Sequence, residues 1–290
     1  MSKTPVIVLG GTGYVAGDLL RLIAAHPQLE LKGVLSDSQP GELVAKSFVH
    51  LAPIYPELKF ADLETITRLA TSLPQSAILS AAPHGVAAQL IDDLLTAAEA
   101  KGAAPRVIDI SADYRYTTPG AYEAVYKHAH GAPGRIPQFT CAVPEHLDRL
   151  TTRHVAHPGC FATAVLLASV PLLKLQLTDA RLFAAGVTGS TGSGRTPGPG
   201  THHPQRHSDL YAYNPLSHRH TPESLRSPRR RAAHKRSSTS YRTRVRSLAA
   251  FTLPCKVMRN VRSRRRNCST RCASSIAAGL SCALRTRCRT

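Results

Sequence analysis

The chain has 290 residues, 42% of them hydrophobic, enough for two domains with separate cores. It has no apolar run of about 18 residues, and MSKTPVIVLGG lacks the basic leader and cleavage site of a secretory signal, so a soluble cytoplasmic protein with no membrane partner is expected. The net charge of +19 points to nucleic acid or membrane only if it is spread along the chain, and it is not: residues 224–290 hold 19 of the 37 Lys and Arg and none of the 18 Asp and Glu, leaving residues 1–223 neutral.

In chain order, TPVIVLGGTGYVAGDLLRLIAAHPQLELKGVLSD reads as a buried strand, a glycine turn, an amphipathic helix with Leu19, Leu20, Leu22 and Ile23 on its apolar side, and a second strand. Gly10, Gly13 and Ala16 set a G-x-x-G-x-x-A spacing between strand and helix, where backbone amides and the helix dipole hold a pyrophosphate. A tight turn without a ligand is the competing reading. Asp37, after the second strand, is placed either to accept from a ribose 2′-hydroxyl, favouring NAD, or to stand as an exposed turn residue beside Ser36 and Ser38. Further strands at SAILSAA and PRVIDIS flank the helical GVAAQLIDDLLTAAEAKG, giving the alternation of a doubly wound α/β sheet. Arg115, in SADYR after the strand VIDI, falls at the carboxyl edge of that sheet, as a ligand contact or a surface ion pair.

From His157 the character changes. CFATAVLLASVPLLKLQL is an apolar helix, ARLFAAGVTG a strand, and GSTGSGRTPGPGTHHPQRH a long loop of the kind that serves function. Cys160, in HPGCFATA, stands at the helix entrance, where the dipole and unpaired amides favour a thiolate; a small buried hydrophobe is the alternative, and Cys141 fits it. LSHRHTPE groups His218, Arg219, His220 and Glu223, which together can supply a general acid or base and an anion clamp. Five of the seven cysteines (Cys255, Cys268, Cys272, Cys282 and Cys288) lie in the tail with no C-x-x-C pair, so neither a disulfide framework nor a metal site is read.

GGTGYVAGDLLRLIAAHP, APHG, DISADYR, AVPE, HPGCFATA, GSTGSGR and HRHTPE follow one another as in the N-acetyl-gamma-glutamyl-phosphate reductases, which residues 1–223 resemble. They also resemble the paralogous reductases of a carrier-linked aminoadipyl phosphate in lysine biosynthesis. The resemblance implies a Rossmann domain over residues 1–156 and a glyceraldehyde-phosphate-dehydrogenase-like α/β domain begun in 157–223 and incomplete. It implies NADP-dependent reduction of a small acyl phosphate, with Cys160 the nucleophile and His218 or His220 the acid–base group. It further implies that Arg115, Arg195, Glu223, Ser190 and Gly192 serve the substrate, and that Gly10, Gly11, Thr12, Gly13, Tyr14, Val15, Ser36, Pro83 and Gly194 serve the cofactor. Ala16 where the family has Gly, and Asp37 where it has neutral or basic residues, depart from the pattern.

After Glu223 the family's strand, its P-H-x-x-P-F-x-R-G-I segment and its D-N-L-x-K-G helix are missing, and an acid-free sequence of disordered composition replaces them. Reading each codon of SYRTRVRSLAAFTLPC (240–255) from its third base permits LPHSGPFARGIHATL, which contains the family segment. A single-base frameshift near Glu223 is therefore expected, with residues 224–290 an out-of-frame tail that ends early, lacks the carboxyl-terminal helix, impairs activity and argues against a family-like homo-oligomer. Two other classes are set against this: a nucleic-acid-binding protein working through the tail, and a non-catalytic NAD(P)-binding regulator. With one Tyr, one Phe and no binding motif, the tail gives little support to the first; reactivity of Cys160 separates the second.

Overall fold

The computed structural model describes residues 2–178, 182–207, 209–215, 217–226 and 247–252, all within one compact unit spanning Met1–Pro254. The chain opens with β1 (Thr4–Leu9), α1 (Tyr14–Ala25), β2 (Leu29–Val34), α2 (Val44–Ser47), α3 (Leu63–Ser72), β3 (Ala77–Ser80), α4 (Ala87–Ala100) and β4 (Arg106–Asp109). It continues with α5 (Pro119–Tyr126), β5 (Phe139–Cys141) and β6 (His154–Ala156). These six strands form one parallel sheet in the order β2-β1-β3-β4-β6-β5. Parallel strands need crossovers, and the helices cover both faces.

Alternation along β1 assigns the two cores. Val6 and Val8 face Ala16, Leu20 and Ile23 of α1, with Phe48 and Phe60 completing that layer. Ile7 and Leu9 face the opposite layer, with Ile66 and Ala70 of α3 and Ile91, Leu94 and Leu95 of α4. Local signals fix the helix ends: Asp62 caps α3 by accepting from the Thr65 amide, and Thr118 caps α5, which starts at Pro119 and stops at Lys127 in the left-handed region.

The second half holds α6 (Cys160–Lys174), β7 (Phe183–Thr188), the short α7 (His203–Arg206), β8 (Tyr211–Tyr213), α8 (Thr221–Arg226) and β9 (Ser247–Thr252). β9 lies in the middle of a three-stranded sheet, parallel to β7 and antiparallel to β8. The expectation of a disordered tail therefore does not extend to these six residues. SLAAFT is a stretch of the tail without Arg or Lys, and its apolar run carries the strand. Residues 227–246 and 253–290, including the tail cysteines, lie outside the described residues. Among the described residues no helix is long and apolar enough to cross a membrane, and no cluster of three or more His, Cys, Asp or Glu is arranged to hold a metal.

Candidate active site

The turn between β1 and α1 is shaped by close approach. Gly10 has φ +73°, and a Cβ there would stand 2.6 Å from the Ala81 backbone, so only glycine fits. Gly13 caps α1 without a side chain, and a Cβ on it would meet nothing nearer than the Gly10 carbonyl oxygen at 3.8 Å. The turn follows β1, which is flanked by β2 and β3. The Gly11 and Gly13 amides donate to the Leu35 and Gly10 carbonyls, which sets the turn so that the amides at the start of α1, without intrahelical partners, suit a dinucleotide pyrophosphate. Ser36 is buried, its hydroxyl accepting from the Gln39 amide at 3.1 Å, while Asp37 and Pro83 are exposed. Arg195 reaches this turn from the second half. Its guanidinium donates to the Thr12 carbonyl at 2.9 Å and the Ser47 carbonyl at 3.3 Å, and lies 5.6 Å and 5.4 Å from the Tyr14 and Phe48 ring centres.

Cys160 begins α6 and its side chain is exposed to a cavity of about 350 Å³, whose lining includes Ser190, Gly192, Tyr213, His218, Arg219 and His220. Five of the expected site residues thus share one space, although up to 60 positions separate them. His220 packs on the turn before Cys160 so closely that a Cβ on Gly159 would fall 2.5 Å from its Nε2. Burial, with Arg115 nearby, pushes His220 down to about 3, so its ring is neutral near pH 7. His218 is also lowered, by burial and then by Arg219. Its Nδ1 accepts from the His220 amide at 3.2 Å, which leaves the proton of the neutral ring on Nε2.

Arg115 and Glu223 do not line this cavity; they lie behind it. Arg115 donates through Nε to the His157 carbonyl at 2.9 Å, through Nη2 to the Ile110 carbonyl at 2.8 Å and through Nη1 to Glu223 Oε1 at 3.2 Å. Glu223 Oε2 accepts from the Gly159 amide at 2.7 Å. Side-chain exposure is 9% for Arg115 and zero for Glu223, and burial raises the Glu223 carboxyl against the opposing pull of Arg115. Gly194 (φ +87°) follows the cavity-lining Ser190–Ser193 turn and leads into Arg195.

Asp113 was passed over in the sequence. It is fully buried and accepts from the amides of Gly85 and Ala88, supplying the start of α4 with the cap that Val86 lacks, and from Tyr122 Oη. Its place in DISADYR was the available signal, but its partners lie 25 and 28 positions away. Tyr213 was also missed, since nothing local distinguishes it from the other tyrosines.

Residues 5–154 match the family model described as semialdehyde dehydrogenase, NAD binding domain, and residues 160–246 match semialdehyde dehydrogenase, dimerisation domain. The chain belongs to the semialdehyde dehydrogenase family. Its first half is the family's nicotinamide-dinucleotide-binding domain. Among curated relatives, a putative [LysW]-L-2-aminoadipate 6-phosphate reductase of Thermomicrobium roseum is 37% identical over 76% of this chain and 60% of its own length. An N-acetyl-gamma-glutamyl-phosphate reductase of Methanopyrus kandleri is 36% identical over 74% of this chain and 61% of its own length. This family member thus spans about three fifths of the relatives it matches. Among solved structures, aspartate semialdehyde dehydrogenase with NADP from Candida albicans superposes with a TM-score of 0.54 at 12% identity, covering 87% of this chain and 68% of that one, and shows the shared fold.

Proposed function

We propose that residues 1–223 carry the chemistry of an NADP-dependent acyl-phosphate reductase, converting N-acetyl-gamma-glutamyl phosphate to N-acetylglutamate 5-semialdehyde in arginine biosynthesis. The observation that carries this reading is Cys160 at the start of α6, in one cavity with His218 and His220. The Cys160 thiolate attacks the acyl carbon, and the carbon–oxygen bond to phosphate breaks with its electron pair leaving on phosphate, giving a thioester. When bound, the nicotinamide supplies the hydride that takes the thioester to the aldehyde level. His218 is the acid–base group, because the His220 amide on its Nδ1 leaves the ring proton on Nε2, available to the oxygen that gains charge, whereas the His220 ring is packed against Gly159. Arg219, the permanently charged cation of the cavity wall, meets the substrate's phosphate.

The relative named as a [LysW]-L-2-aminoadipate 6-phosphate reductase supports a second substrate reading, a carrier-linked aminoadipyl phosphate, with the same chemistry. Codons of residues 240–255 that permit LPHSGPFARGIHATL from their third bases support residues 224–290 as out-of-frame sequence that impairs turnover. The test uses protein with the frame restored by one base near the Glu223 codon. Phosphate-dependent NADP reduction with N-acetylglutamate semialdehyde should fall below detection in Cys160→Ser, and about 100-fold in His218→Gln, while dinucleotide binding persists. Near-normal turnover by Cys160→Ser contradicts the nucleophile assignment.

A further inference from the structure

We propose that Arg115 and Glu223 are positioning residues: a buried guanidinium–carboxylate clip that holds the Pro158–Gly159 peptide so that Cys160 enters α6 facing the histidine cavity. The inference rests on Cys160 being the nucleophile. A helix start leaves its first amides without intrahelical partners, and Gly159, the N-cap of α6, has no side chain with which to cap them. Glu223 takes up the Gly159 amide from 64 positions away. The next amides of α6 begin at Cys160 itself and have no intrahelical partners. The carboxylate alone would oppose a thiolate so close by, and Arg115 offsets its charge.

The same guanidinium holds the carbonyls of Ile110, just beyond β4, and His157, just beyond β6, so the two strand ends and α8 are joined at one point under the nucleophile. With three of its five N–H groups donating to protein oxygens and only 9% of its side chain exposed, Arg115 acts on Cys160 through the backbone rather than on substrate. A substrate clamp would need those donors turned to the cavity, whose lining does not include Arg115.

The test reads the thiol directly, in the full chain as it stands. Alkylation of Cys160 by iodoacetamide is followed by peptide-level mass spectrometry from pH 5 to 9 in Arg115→Met, Glu223→Gln and the double variant, with NADP binding as the check on folding. Positioning predicts that both single variants slow Cys160 alkylation at pH 7 by about tenfold, and that the double variant is slowed as well, though no further than the slower single one. A purely electrostatic role predicts opposite directions, Glu223→Gln faster and Arg115→Met slower, and overturns the proposal. So does a wild-type alkylation profile in variants that still bind NADP. If a single variant leaves a buried charge unpaired and fails to fold, the double variant decides: slow alkylation supports the clip, and a wild-type rate overturns it. Turnover by Cys160→Ser would remove the nucleophile reading without changing these rates.

Discussion

The two halves of the molecule close their cores to different degrees. Around the six-stranded sheet, apolar side chains from β1, α1, α3 and α4 meet on both faces, and Ile7, Leu9, Leu20, Ile66 and Ile91 are essentially inaccessible. In the second half α6 buries Ala162, Leu166 and Val170, and Phe161 is packed by the half-buried Val165, Ala184 and Tyr213, while Phe183 is 70% and Val187 53% exposed on β7. An apolar cavity of about 320 Å³ runs between α6 and β7, with Leu172 and Phe183 on its walls. The first half thus closes a core on both faces of its sheet, and the second half, as described, leaves more apolar surface open. The ties between the halves are polar and specific: Arg115 to Glu223 and to the His157 carbonyl, and Arg195 to Thr12 and Ser47. Geometry at Cys160 is set where the halves meet.

Truncating the closed core should cost most. Ile7→Ala is expected to lose about 2–5 kcal/mol in chemical denaturation, against at most about 0.5 kcal/mol for Phe183→Ala, whose ring is already in water. Equal losses would break the contrast between the halves.

Acid should sharpen it. His154, buried on β6, accepts from the Val107 amide at 3.1 Å, and burial pushes it down to about 4. An unfolded histidine titrates near 6.5, so between pH 6.5 and 4 the unfolded chain binds the extra proton. This contribution is fully present above pH 6.5 and is lost as pH falls towards 4, by up to about 3 kcal/mol. His154→Asn, whose amide oxygen can replace Nδ1 as acceptor, should flatten the fall of the thermal midpoint over that window; an unchanged slope contradicts the assignment.

Cofactor choice is a smaller effect, confined to the nucleotide half. NADP should bind more tightly than NAD by about tenfold, about 1.4 kcal/mol. Tighter NAD binding that Asp37→Ser reverses would show that Asp37 contacts the ribose.

The first half was legible because its signals are local. Strand, glycine turn, helix and strand follow within the first 34 residues, and the periods of 2 and 3.6 name the buried faces. Cys160, His218 and His220 were legible as residue types in short motifs, but their shared cavity needs α6 and α8 to pack, which no local pattern encodes. The Arg115–Glu223 pair spans 108 positions and links two motifs that looked independent. β9 was not legible because the tail was read by its composition, and the acid-free, arginine-rich sequence around SLAAFT hid an apolar run that pairs with β7. Asp113 escaped notice for the reason that hid the clip: what it caps lies on another element.

The central claim, reductase chemistry begun in residues 1–223 and followed by out-of-frame sequence, is tested most directly by activity on either side of one base. The chain as written and a version shifted by one base near the Glu223 codon, so that PHSGPFARGI is translated, are assayed side by side. Both are measured for phosphate-dependent NADP reduction with N-acetylglutamate semialdehyde and for NADP binding. The account predicts that both bind NADP, that the shifted version turns over, and that the chain as written does so poorly. Full activity of the unaltered chain, or none from the shifted one, would contradict it.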